Sequence, residues 1–241
     1  MNALERARIE KAAADCGFDL TAQLDGNALA LRSAQFPEIV TVTPGPDESF
    51  SIGASNPIVL PGAPQGQACA ARGWQALYAT LETASSIART LPDRVAQQFA
   101  KATANMPKST EVERLVVQRV GQQLFRDALM AFWQGRCCIT GLAVPPLLRA
   151  SHIRPWAVCE TDEQRLDVFN GLLLAAHWDA AFDAGLVTFD YAGQLLLSPR
   201  LPADALIVLA GVAVPSAIRI KSLPHHEPFM QWHRDHVYLG A

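Results

Sequence analysis

The stretch that most restricts the fold runs from Thr110 to Gly135. Thr110 and Glu113 stand at capping-box spacing, Leu115, Val116, Val120, Leu124, Leu129 and Phe132 recur on a helical period, and Gly135 supplies a stop. The spacing predicts one long helix over 110–134. Arg114, Arg119 and Arg126 occupy other positions around its wheel and could reach a phosphate backbone.

The chain on either side follows different rules. Residues 3–16 carry a helical pattern that stops at Gly17. "FDLTAQL" and "ALALRS" flank the tight-turn sequence "DGN", which predicts a β-hairpin over 18–33, and "PEIVTVTP" and "ESFSIG" supply two more strands. A Pro- and Gly-rich loop, "NPIVLPGAPQGQ", precedes a helix from Trp74 to about Leu91 and a shorter one from Pro92 to Ala104. "NMPKST" reads as the best linker in the chain. The expected organisation is therefore α+β in two parts: a small α+β domain over 1–106 and a second domain over 107–241 led by the long helix.

Composition bounds the function classes. Half the residues are hydrophobic and 18% charged, enough for a sizeable core. No apolar run approaches the roughly 18 residues of a membrane span, and the N-terminus lacks the order of a signal peptide, so the expectation is a cytoplasmic protein without a membrane partner. The five cysteines form no spaced C-x-x-C pairs, and adjacent Cys137 and Cys138 read as two buried thiols on a strand. Net charge is −3, yet between Lys108 and Arg154 seven basic residues face only Glu111, Glu113 and Asp127. A basic segment inside an acidic chain suits phosphate binding through one face, although a solvated helix with stray arginines would look the same.

Histidine is absent until His152, and all six lie at or after it. His152 ends a predicted strand, "LLRASHI", preceded by "RCCITG", read as a short strand and turn. An irregular polar loop, "RPWAVCETDEQRLDVF", leads to Asn170 and a second strand, "NGLLLAA", and "HWDAAFDAG" fits a short helix ending at Gly185. Two strands and a helix in that order form a clamp that could hold a single divalent cation.

Taken together, "CCITGL", "LLRASHIRPW" and "DVFNGLLLAAHWDAAFDAGL" resemble the HNH endonuclease family, in the subgroup marked by a TG turn, an AHI.PW strand end, an NGLLL strand and an FD.GL helix end. The long helix and "WHRDHVY" resemble that subgroup's flanking helix and tail, so the likeness spans about 109–238. The resemblance implies a ββα-metal nuclease domain and a metal-dependent DNA endonuclease of restriction or defence type. DNA would be its partner and one divalent ion, Mg, Mn, Ni or Zn, its cofactor. It implies His152 as general base and Asn170 as the residue that ties the loop and orients it. For the last metal ligand, His177 and Asp179 both come into question, and His177 is favoured because imidazole suits a transition metal. Arg149 and Arg154 bracket His152 and, with Arg119 and Arg126, are candidate phosphate contacts.

The sequence departs from the family at Ser151, where an aspartate ligand is common. That departure keeps a second reading open, a DNA-binding module with the nuclease fold and weak or no turnover. Asp183 reads as a residue near a helix end with no catalytic part. His225, His226, His233 and His236 could form a second metal site on paper, but a C-terminal helix packing Phe229, Trp232 and Val237 is the simpler reading, with His233 or Arg234 at the rim of the site. A double-strand cut by a one-site nuclease would invite a two-fold homodimer. Specificity would have to come from the N-terminal domain, because such a core reads mainly backbone.

Overall fold

The computed structural model describes residues 1–60, 68–107, 109–210, 218–220 and 224–240. The end of the Pro- and Gly-rich loop and Lys108 of the basic segment lie outside the described residues. The chain divides into two compact units, Met1–Arg89 and Thr90–Ala241.

In the first unit α1 (Ala3–Asp15) leads into β1 (Leu20–Asp25), β2 (Ala28–Arg32), β3 (Val40–Pro44), β4 (Ser49–Ala54) and β5 (Cys69–Arg72), and α2 (Trp74–Thr90) follows. The strands form an antiparallel meander in chain order. The register sets Leu29 opposite Val42 and Val42 opposite Ile52, so alternate apolar residues line up across three strands on the buried side. Ile9, Ala12 and Ala13 of α1 and Leu77, Leu81 and Ala84 of α2 are buried with them. Gly17 ends α1 at φ 90°, and a Cβ there would lie 2.2 Å from Arg89 Nη2, which donates to the Cys16 carbonyl. Strand β5 has no counterpart among the expected elements.

The second unit begins with α3 (Pro92–Thr103), which packs on α4 (Glu111–Phe132) and on α5 (Asp162–Leu166). The division thus falls ahead of the linker at 105–110, because Val95 and Phe99 of α3 are buried in a unit that holds α4. Thr110 caps α4 with the expected box: its Oγ1 accepts from the Glu113 amide at 3.2 Å and Glu113 Oε2 accepts from the Thr110 amide at 2.9 Å. Gln134 and Gly135, both at positive φ, stop it.

"RCCITG" is a turn rather than a strand. Cys137 Sγ accepts from the Thr140 and Ala175 amides, and Gly141 turns the chain at φ 70°. The Cys138 amide donates to the Leu173 carbonyl, which anchors the turn to β7 (Gly171–Ala175). Strand β6 (Leu148–His152) pairs antiparallel with β7, and α6 (Ala176–Asp183) follows without a loop. Then come a hairpin of β8 (Val187–Phe189) and β9 (Leu195–Leu197), α7 (Ala203–Ala210) and α8 (Glu227–His236). Leu172, Leu173 and Leu174 are all fully buried, since α4 and α6 both pack on β7.

Gly171 is required by this packing. A Cβ there would sit 2.6 Å from Phe125 Cζ and 2.7 Å from Leu129 Cδ1, both on the buried side of α4. Gly171→Ala is expected to cost about 1–3 kcal/mol through forced repacking, read as a lower urea midpoint at unchanged slope.

Candidate active site

His152 ends β6, opposite Gly171. Its ring stacks on Phe125 of α4 at 3.8 Å between centroids and 13° between planes, and Trp156 meets it edge-on at 5.7 Å. Nε2 lies 2.8 Å from the Arg165 carbonyl oxygen. A carbonyl only accepts, so Nε2 carries the proton and Nδ1 is left with its lone pair. Burial between the two aromatic rings pushes the His152 pKa down to about 4, which keeps the ring neutral at physiological pH.

The chain between β6 and β7 is expected from sequence to be irregular, but it folds into a built arch. It holds a 3-10 turn at Trp156–Val158, helix α5 and a second 3-10 turn at Val168–Asn170. Thr161 caps α5 through the Gln164 amide, and Thr161-x-x-Gln164 is itself a capping signal that could have revealed the helix. Asn170, wholly buried, ties the arch shut. Its Oδ1 accepts from the Arg154 amide at 2.7 Å, and Nδ2 donates to the carbonyls of Arg154 at 3.1 Å and Gln164 at 3.0 Å.

A cavity of about 390 Å³ is lined by Arg149, Ser151, His152, Trp156, Asp179, Asp183 and His233, among others. Asp179 and Asp183 lie one turn apart on α6, so both face it. Ser151, 3% exposed, donates to Asp183 Oδ1 at 3.4 Å. Burial raises the pKa of both carboxyls, and the Asp179 charge raises that of Asp183 further. Ser151 and the charge of Arg149 pull the Asp179 value back in part. Two partly desolvated carboxylates with one cationic neighbour leave negative charge to be balanced.

His177, the favoured ligand from sequence, does not reach this cavity. It is exposed on α6, beside Trp178, and Asp179 is the residue of that pair which lines the site. Asp183, set aside from sequence, joins it. The i, i+4 spacing of two carboxylates after a histidine strand was the signal for it.

The arginines divide as well. Arg149 lines the cavity while donating to the Pro146 and Leu148 carbonyls. Arg126 is engaged by the Leu148 and Pro145 carbonyls at 2.9 Å each, and Arg154 by the Val158 carbonyl and Glu160. Arg119 is exposed on α4, away from the cavity. Internal bonds therefore occupy much of the basic segment.

The C-terminal histidines do not share a centre. His233 is 1% exposed, stacks on Phe182 at 3.9 Å, and bonds the Phe182 carbonyl through Nε2 and Thr188 Oγ1 through Nδ1, fastening α8 to α6 and β8. His225 and His226 lie against Phe169, and His236 stacks on Trp232. Arg234 is bonded to the Phe189 carbonyl and to Glu227. Among the described residues no group of three or more His, Cys, Asp or Glu is placed to hold a metal ion, and no helix is long and apolar enough to cross a membrane.

Burial also makes the unit's stability depend on pH. His233, pushed down to about 4, binds its proton more weakly folded than unfolded, so its contribution is full above about 6.5 and is lost as pH falls toward 4. Asp167 has the opposite sign. Burial raises it to about 6, so the folded state takes up that proton first, and its contribution is present at low pH and lost as pH rises through 6. Its Oδ1 accepts from the Phe169 amide at 2.8 Å, a bond that an asparagine oxygen can also make. Asp167→Asn is expected to stabilise the protein at pH 7.5 by about 1–3 kcal/mol and to steepen the loss of stability between pH 6.5 and 4, as read by urea denaturation across that range.

Residues 137–190 match the family described as HNH endonuclease. The matched segment runs from the Cys137 turn through β6, the arch, β7 and α6 to the end of β8, and so contains His152, Asn170, Asp179 and Asp183. The match points to nuclease-type chemistry on a nucleic acid. The first unit lies wholly outside it. No curated protein matches the chain at a significant level.

Proposed function

We propose, from the HNH match and the site around His152, that the second unit is a metal-dependent DNA endonuclease. The observation that carries this reading is the His152 ring. Its Nε2–H is fixed on the Arg165 carbonyl, its Nδ1 lone pair is free to accept, and it shares a cavity with two carboxylates. In the proposed reaction Nδ1 takes the proton from a water that attacks phosphorus in line with the 3′ oxygen. Phe125 and Trp156 hold the ring plane, and Asn170 holds the arch that supplies the carbonyl.

The donor chemistry fits a divalent cation. Asp179 and Asp183 would hold it, with waters and a phosphate oxygen completing the shell, an arrangement that suits Mg²⁺ or Mn²⁺ better than Ni²⁺ or Zn²⁺. A cation bound there would offset charge on the phosphate and on the leaving oxygen. Arg149, which lines the cavity, would meet the phosphate.

Because such a site grips backbone, selectivity would fall to the first unit, which makes a restriction or defence role the favoured one. Supercoiled plasmid, unmodified or methylated, is the substrate that tests this, with single-stranded RNA as competitor. The reading expects relaxed or linear DNA, a dependence on modification state, and no inhibition by equimolar RNA. Preferential loss of the RNA would overturn the DNA assignment. Linear product without a relaxed intermediate would indicate two sites acting together, as a two-fold pair of chains would provide.

A further inference from the structure

We propose that Arg165 is a positioning residue for His152, acting through its own backbone carbonyl. The consequence for rate rests on the reading of His152 as general base; the consequence for the ring does not.

The carbonyl that fixes the imidazole belongs to a residue whose side chain turns back and pins the arch. Arg165 Nε donates to the Trp156 carbonyl at 3.2 Å, Nη2 to the Cys159 carbonyl at 2.5 Å, and Nη1 to Asp162 Oδ1 at 2.9 Å. Its amide donates to the Thr161 carbonyl at 3.2 Å. One residue therefore gathers acceptors at 156, 159, 161 and 162, and the position of its carbonyl follows from those bonds.

These contacts differ in weight. Asp162 is 52% exposed on its side chain, so that ion pair contributes little. The two carbonyls are the substantial partners, because charge-assisted bonds from a planar fork to fixed backbone acceptors define direction as well as distance. Trp156, held by the Nε bond, is also the ring that meets His152 edge-on, and its indole lies over Gly121, where a Cβ would approach Trp156 to 2.5 Å. The guanidinium thus sets both the acceptor on Nε2 and one wall of the imidazole slot. With every nitrogen of its fork engaged and only 23% of the side chain exposed, Arg165 is poorly placed to be a phosphate contact itself.

The test combines nitrogen-15 NMR of the His152 ring with single-turnover cleavage of duplex DNA, using the full chain. In the wild type the Nε2–H should give a slowly exchanging proton signal and Nδ1 an unprotonated shift. Arg165→Ala is expected to lose that protected signal and to cut the cleavage rate about 10–100-fold at unchanged DNA affinity, with the β8–β9 signals unmoved. Arg165→Lys, which keeps the charge but not the fork, should fall between the two. Asp162→Ala, which removes only the exposed ion pair, should match the wild type in both readouts. The proposal is overturned if Arg165→Ala keeps the protected ring proton and the rate. It is equally overturned if the variant loses DNA affinity while its rate at saturation is unchanged, since that is the behaviour of a phosphate contact. If the wild type does not cleave, the nuclease reading fails while the ring signal still decides whether Arg165 positions His152.

Discussion

Replacing His152 with alanine is expected to lower single-turnover cleavage by about 10²–10⁴-fold, the range for loss of a general base. DNA affinity should change little, because the ring is enclosed by Phe125 and Trp156 and offers no charge to a phosphate. The same enclosure governs pH dependence. A base must be unprotonated to act, and burial pushes His152 down to about 4, so the acid limb of the wild-type rate should lie well below the 6.5 of a free imidazole. A wild-type limb at 6.5 would contradict the enclosed geometry, and an active His152→Ala variant would remove the residue from the mechanism.

The second large effect concerns Asp179 and Asp183, and it carries two signs. Each asparagine variant is expected to weaken activation by Mg²⁺ or Mn²⁺ by about 100-fold or more, at or beyond the upper end of what loss of a supporting group at a metal site costs. Each should also make the metal-free protein more stable at pH 7. Both carboxyls have pKa values raised by burial, so ionising them costs stability that a neutral side chain restores. A pair kept for folding would lose stability when neutralised; a pair kept for a cation gains it and loses activity. His177→Ala, by contrast, should leave metal activation unchanged, since that ring is outside the cavity. Plasmid cleavage across a manganese titration reads the first sign, and thermal denaturation of the metal-free samples reads the second.

Much of the frame was legible because it rests on local signals. The Thr110–Glu113 box, the stop at Gly135, the "DGN" hairpin and the β6–β7–α6 order are each written in neighbouring residues. Asn170 could be placed at the foot of a strand, but not its bonds to Arg154 and Gln164, which depend on how the arch closes. What stayed hidden depends on contacts distant in sequence. Whether His177 or Asp179 faces His152 is decided by how α6 rolls on β7, and that roll follows from burying Trp178, Ala181 and Phe182. Arg126 and Arg154 read as free cations until the carbonyls of residues 145, 148 and 158 come to meet them. The two compact units part between Arg89 and Thr90, ahead of the Pro-Lys-Ser linker signal, because α3 packs on α4. The β8–β9 hairpin follows its own turn signal, in which Asp190 Oδ1 accepts the Ala192 and Gln194 amides, and its role emerges only through Thr188 and His233.

The buried Ser151 hydroxyl stands beside His152 and bonds Asp183, and in the proposed reading Asp179 and Asp183 of α6 would hold the cation without a ligand from the strand. The most direct measurement is therefore incubation of the wild-type protein with supercoiled plasmid in Mg²⁺ or Mn²⁺, with and without EDTA, alongside DNA binding under the same conditions. The account predicts relaxation that requires the metal and stops with EDTA. DNA that is bound but uncut with either metal would contradict it, and would make the second unit a binding module that keeps the nuclease fold without turnover.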